Sequence, residues 1–156
     1  MAKYFNATIR NMTYRLRKFK DDLPRLLEQA IYEKEQEIVS AIANDQLYRR
    51  GITGKGVKIM DYEPYAKATI SIKRKKGQPT TRVTLRDTGS FHENMFVVVD
   101  EEGFYVTSSD EKTEALKARY GDDIFRLTNE NLTRLVRSHI KKVIVKQLKQ
   151  ELRARK

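Results

Sequence analysis

The chain has no cysteine and no tryptophan, only two histidines and three prolines, and no long apolar run. Without cysteine neither a disulfide frame nor a structural zinc site of the common Cys/His types can form. No uninterrupted apolar stretch approaches the ~20 residues of a membrane span, and the N-terminus lacks the apolar core of a signal peptide. These features lead us to expect synthesis and use in cytoplasm, with no membrane partner. Acidic residues are also short relative to basic ones, 21 against 32, for a net charge of +11. That sign favours polyanions, or acidic surfaces of other copies, as partners. With 156 residues, 39% hydrophobic and 34% charged, the chain suits a single globular domain over 1–156, carrying a basic helical extension at about 145–156.

The charge is unevenly placed. Residues 1–50 hold ten basic and seven acidic groups; 64–99 hold seven and two; 100–123 invert the balance with three and eight; and 134–156 hold nine and one. The resulting order is a basic middle, an acidic module and a basic end.

Phe5, Ile9, Met12, Leu16 and Phe19 recur at helical spacing, which predicts an amphipathic helix over about 6–20 with Asn6 as its cap. Pro24 is expected to mark a break or fresh start, with Asp21 or Asp22 capping a long helix whose stripe is Leu27, Ala30, Ile31, Ile38, Ala41 and Ile42, up to about Leu47. Both stripes suit core and intersubunit packing. Gly51, Gly54 and Gly56 then form a turned loop. A phosphate loop needs Gly-Lys followed by Ser or Thr after a strand, and here Lys55 precedes Gly56 and follows a helix. The Gly51-x-x-Gly54 spacing occurs in single-strand-binding loops, but it is also common by chance.

Residues 62–72 suit either a short helix or an irregular strand. Lys73, Arg74, Lys75 and Lys76 read as a basic loop which, with Arg82, is the expected contact for DNA phosphate or an acidic neighbour. Asp87-Thr88-Gly89 is turn chemistry, with polar side chains for the local backbone and a glycine for positive φ. Phe91 to Met95 then supplies one helical turn. Met95 to Asp100 and Gly103 to Ser108 read as a hairpin turned at Glu101-Glu102-Gly103, apolar on both faces, so that one side meets helices and the other a further strand or partner chain. Phe96, Val98, Phe104 and Val106, with Asp110, Glu111 and Glu114, are therefore the expected subunit interface. Ser108 and Glu111 match a capping box for a short helix closed by Gly121. Leu132, Leu135, Val136, Ile140, Val143, Ile144, Leu148 and Leu152 stripe a basic C-terminal helix. The fold class is α+β: a long N-terminal helix, a small antiparallel sheet built on a hairpin, a short helix and the basic C-terminal helix.

The order of Leu85-Arg86-Asp87-Thr88-Gly89-Ser90-Phe91, the hairpin, Thr107-Ser108-Ser109-Asp110, Ala118-Arg119-Tyr120-Gly121, Ile124-Phe125 and a terminal helix resembles the tail-completion and head-to-tail joining proteins of tailed bacteriophages. That family has an N-terminal helix, a Leu-x-x-Thr-Gly-x-Leu-x-x-Ser turn, a hairpin ending in Val-x-Ser, an aromatic-Gly helix end and a final helix. The resemblance covers roughly Ala30 to Val136. Phe91 stands for the usual Leu and Asn94 for the usual Ser, and the 73–76 run and the long basic end fall outside the pattern. It implies a structural virion protein without cofactor, assembled in the host bacterial cytoplasm as a homo-oligomeric ring of six. Neighbouring neck, portal-side or tail-tube proteins, and DNA in the channel, are its implied partners. The competing reading is a sequence-independent DNA-binding module of a phage or mobile element. Catalysis is not expected: His92 and His139 lie far apart without a carboxylate pattern, and His92 reads as a surface or interface residue. Asp87-Thr88-Gly89 matches an aspartic-protease triplet only if Val83-Thr84-Leu85 is a strand and a second copy is present.

Overall fold

The computed structural model describes residues 2–153, with side chains from residue 8. The chain divides into two compact units, a helical one of residues 1–33 and 134–156 and a central one of residues 34–133.

The helical unit pairs α1 (Ala2–Tyr32) with α7 (Lys141–Arg153). Arg15 donates to the carbonyls of Glu151 and Leu152 at 3.4 Å, Lys18 pairs with Glu151 at 3.6 Å and His139 approaches Glu33 at 3.4 Å, so the two helices run antiparallel. Pro24 lies inside α1 and does not break it. The expected break at Pro24, with Asp21 or Asp22 as a cap, is thus corrected. Pro24 removes one helical donor, a cost of ~3 kcal/mol, but it lies at an exposed position where water can reach the bare carbonyl, and packing along α7 holds the helix straight through. The chain turns instead at Glu33 and Lys34. The cap proposed at Asn6 falls on side chains outside the described residues.

In the central unit, α2 (Glu35–Ser40) runs on into a π-helical segment, Ala41–Arg50, which ends at Gly51 in the left-handed conformation with φ 64°. Ile38, Ile42 and Leu47 on this stretch are buried, as the helical spacing predicts, and so is Ala43, whereas Ala41 of the expected stripe is only half-buried. Residues 51–59 fold back on themselves through an antiparallel bridge between Ile52 and Lys58. α3 (Lys67–Lys75) makes the second half of the ambiguous 62–72 stretch a helix, with 62–66 outside any helix or strand, and absorbs three of the four clustered cations into its last turn. The basic run is therefore a helix C-terminus and not an extended loop. Cations are stabilised there by the carbonyl end of the helix, which offsets their mutual repulsion.

α4 (Ser90–Glu93) is a single turn, followed by β1 (Met95–Asp100) and β2 (Gly103–Ser108), which pair antiparallel with Val97 opposite Val106. Asp100 closes the hairpin: its Oδ1 accepts from the Glu102 and Gly103 amides at 2.9 and 3.0 Å. Met95, Val97, Val106 and Ser108 face inward, where α2 packs on β1 and the Val97 amide donates to Glu35 Oε1 at 2.9 Å. α5 (Thr113–Tyr120) ends at Gly121, as expected. The Ser108/Glu111 capping box does not form, because α5 begins only at Thr113: Ser108 Oγ donates to the Phe91 carbonyl at 3.0 Å and accepts from the Asp110 amide at 3.2 Å, and Asp110 Oδ1 accepts from the Lys112 amide just before the helix. A 3₁₀ turn, Asp122–Phe125, brings Phe125 against Phe91 with ring centroids 5.6 Å apart. α6 (Asn129–Leu135) and a π-helical segment, Val136–Ile140, lead into α7. The mixed helix-and-hairpin class read from the sequence is the class of the structure.

Candidate functional site

Three places gather the residues singled out by sequence. The first is a cleft of about 640 Å³ in the central unit, walled by α3, α5 and the Leu85–Phe91 turn. Leu85 has φ 49° and Gly89 φ 109°, so the chain reverses twice within five residues, and the second reversal is one that glycine alone makes without strain. The turn is wired on both sides. Lys76 Nζ donates to Asp87 Oδ1 at 2.5 Å, and Gln78 Nε2 donates to the Asp87 carbonyl at 2.7 Å. Thr88 Oγ1 accepts from the Ser90 amide at 3.3 Å, and Ser90 Oγ donates to Asp110 Oδ2 at 2.5 Å. The hydrogen bond and charge of Lys76 hold the Asp87 carboxyl below its ordinary pKa, and the Ser90 hydroxyl, then the Lys112 amide, do the same for Asp110. Both carboxylates are ionised anchors that fix the turn.

Lys73, expected to meet DNA, is buried: its ammonium donates to Gln78 Oε1 at 2.9 Å and to the Arg86 carbonyl at 2.7 Å and lies 5.0 Å from the centre of the Tyr65 ring. Arg82 is half-buried, its Nε donating to the Tyr48 carbonyl at 2.8 Å. Only Arg74 and Lys75 of the proposed contact are solvated without such a bond. His92, expected at a surface or interface, is instead buried within the central unit. Burial, and then the Arg86 guanidinium, pull its pKa down to about 4, against a smaller opposing pull from the Thr84 backbone. Val83-Thr84-Leu85 is not a strand, so the protease geometry is not met. Among the described residues no three His, Asp or Glu side chains cluster as a metal site would require.

The second place is the outer face of the hairpin. Phe96, Val98, Tyr105 and Thr107 share it, Phe96 and Tyr105 being well exposed. Val106 lies on the inner face and is buried, so it cannot meet a partner; Phe104, on the same inner face, is only half-buried. Tyr105 takes the exposed position that the sequence reading assigned to its neighbours. A groove of about 590 Å³ runs beside β2, lined by Phe104, Tyr105, Thr107, Phe125, Leu127 and Leu132. Glu111 and Glu114 are exposed nearby in sequence, whereas Asp110 is committed to the turn.

The third place, in the helical unit, is α7. Val143, Ile144, Gln147, Leu148 and Glu151 are half-buried and form the side turned to α1, while no α7 residue is fully buried. The opposite side exposes Lys141, Lys142, Lys146, Lys149 and Arg153, with Val145 among them, and Arg137 of the preceding π-helical segment continues this face. No described helix is long and apolar enough to cross a membrane.

No family model, no curated protein and no solved structure matches the chain.

Proposed function

We propose that this chain is a structural subunit that assembles with copies of itself, as a ring-forming head-to-tail joining or tail-completion component of a tailed bacteriophage virion, and carries out no catalytic step. The observation that carries self-assembly is in the helical unit. Ile9, Met12 and Leu16, three successive members of the α1 stripe, are 47%, 53% and 44% exposed. Two helices cannot cover an apolar stripe of this width alone, and a stripe left open at helical spacing calls for another helix or sheet over it. A second copy is the occupant that fits, because each copy brings both a basic helical unit and the acidic 100–123 module with its open hairpin face. Positive surface of one subunit meeting negative surface of the next gives the head-to-tail contact that closes a ring. Asp87 and His92, the residues with some catalytic precedent, are respectively held in an ion pair and buried neutral, which fits a role in geometry. Neighbouring neck, portal-side or tail-tube proteins are the further partners this reading implies.

Gel filtration with light scattering on the full chain tests it. Wild-type protein is expected as oligomers, and Ile9→Ser combined with Met12→Ser and Leu16→Ser is expected to shift them to monomer with the central unit still folded by circular dichroism. A strict monomer for wild type, alone and with neck partners, overturns the proposal.

A further inference from the structure

The +11 of the chain belongs entirely to one unit. Residues 1–33 and 134–156 contain sixteen Lys and Arg against five Asp and Glu, while residues 34–133 contain sixteen of each. Within the central unit the charges are widely paired: Lys55 with Asp123 at 2.6 Å, Lys76 with Asp87, Arg119 with Glu63 at 2.8 Å. Arg137, Lys141, Lys142, Lys146, Lys149 and Arg153 have no acidic partner among the described residues. Three of their spacings are like-charged i,i+4 pairs, Arg137 with Lys141, Lys142 with Lys146 and Lys149 with Arg153, each unfavourable in an isolated helix.

Self-association pairs some of this charge but cannot remove its excess. A contact with an acidic patch of the next copy moves charge about, but every subunit brings the same +11, and a ring of six multiplies it sixfold. A polyanion of different chemistry is what offsets the net charge of the assembly. We infer that the outer face of α7 is a binding surface for the phosphate backbone of duplex DNA, engaged without regard to base sequence. The face from Arg137 to Arg153 spans sixteen residue steps, ~24 Å of helix, which is ample to follow several phosphates of one strand. Six lysines and arginines on flexible stems, with no aromatic side chain and the single amide Gln150 among them, supply mainly charge neutralisation and little base reading. A membrane surface fits less well. An interfacial helix buries its apolar side in lipid, and here Val143, Ile144 and Leu148 are turned toward α1. This inference does not depend on the ring: it follows from the charge of the unit and the exposed face of one helix.

The test is fluorescence anisotropy of the full chain with a labelled 20-base-pair duplex of arbitrary sequence, from 50 to 200 mM KCl. With six phosphates neutralised, affinity is expected to fall about a thousandfold across that range. Lys141→Gln, Lys142→Gln, Lys146→Gln and Lys149→Gln combined leave two contacts, and the same salt range then costs about tenfold. The corresponding four Lys→Arg changes keep the wild-type salt dependence. Light scattering without DNA on the four-Gln variant reads self-assembly separately, so failure of either proposal is visible without the other. No binding at 50 mM KCl overturns the inference. So does an unaltered salt dependence in the four-Gln variant, or loss of binding through Arg74→Gln with Lys75→Gln on α3 instead. Tighter binding to phosphatidylserine vesicles than to duplex under the same conditions overturns it in favour of a lipid surface.

Discussion

The Lys73 ammonium donates to the backbone carbonyl of Arg86 at 2.7 Å, and that bond joins the end of α3 to the turn leading into the hairpin. The first cation of the four-residue basic run thus serves as an internal strut. Its charge is carried by Gln78 Oε1, one carbonyl and the face of Tyr65, and no carboxylate is needed.

Lys73→Ala should therefore cost stability and Lys75→Ala should not. Removing Lys73 leaves the Arg86 carbonyl and Gln78 Oε1 without their donor in a part-buried site, where hydrogen bonds to a charged group are worth about 1.5–3 kcal/mol. We expect a loss of about 2–3 kcal/mol in urea unfolding for Lys73→Ala and less than about 0.5 kcal/mol for the solvated Lys75→Ala. Equal midpoints for the two variants would show that the strut is not in place.

Gln46 makes a second internal connection. It is fully buried; its Nε2 donates to the Arg126 carbonyl at 2.9 Å, and its Oε1 accepts from the Thr128 amide at 2.9 Å and Asn131 Nδ2 at 3.1 Å. One side chain on the π-helical segment thereby fixes the path of residues 126–131. Gln46→Leu keeps the volume but strands three polar groups, each costing about 1–3 kcal/mol when buried. The expected loss is about 3 kcal/mol, with reduced amide-exchange protection at Thr128. A variant as stable as wild type would contradict the role given to this network.

What the sequence made legible were features that repeat or terminate. The hairpin runs Met95–Asp100 and Gly103–Ser108 carry β-formers on both sides of a turn, and the structure has the same bounds. Gly121 ends its helix because it alone is free there to leave the helical backbone conformation. The losses came from tertiary context. A run of four cations looks solvated whether it forms a loop or a helix end, and nothing local reveals that Lys73 turns inward to Arg86. Pro24 carries a strong local signal that packing on α7 overrides. Gln46 sits at an apolar-face position of a helical pattern and offers no sign that three chain groups converge on it. Val106 and Tyr105 exchange expected roles because strand phase, and not composition, sets which side of a hairpin is buried.

Glycine positions separate strain from crowding. A Cβ at Gly54 would lie 2.3 Å from the Arg126 carbonyl oxygen, a backbone atom that cannot swing aside, and one at Gly89 would lie 2.8 Å from Glu93 Oε1 at φ 109°. At Gly56, φ is 77° but no atom lies within 4 Å. Gly56→Ala should cost only the left-handed backbone penalty, about 1–2 kcal/mol. Gly54→Ala and Gly89→Val should cost more, and Gly89→Val should also impair assembly, since it tilts the hairpin. Melting temperatures and light scattering on the three variants check the ranking; unchanged oligomers and melting for Gly89→Val would remove the turn from the assembly argument.

His92 sets the acid limit of stability. Its folded-state pKa is about 4 against an ordinary 6.5, so the unfolded chain takes up the proton more readily than the folded one. Its contribution is complete above pH 6.5 and is lost as pH falls from 6.5 toward 4, after which it is constant. At ~1.4 kcal/mol per unit the whole step is about 3 kcal/mol. Asp87 and Asp110 have lowered folded-state values, so their contribution is lost at the acid end of the range, below the ordinary carboxylate pKa. Urea midpoints at pH 7.5, 5.5 and 4.5 for wild type and His92→Gln isolate the histidine, because the carboxylates titrate in both. The variant should be less stable at pH 7.5, having lost a ring packed against Phe91 at 5.8 Å between centroids, yet fall less steeply between pH 7.5 and 4.5. Parallel profiles for the two proteins would place the buried proton-linked group elsewhere.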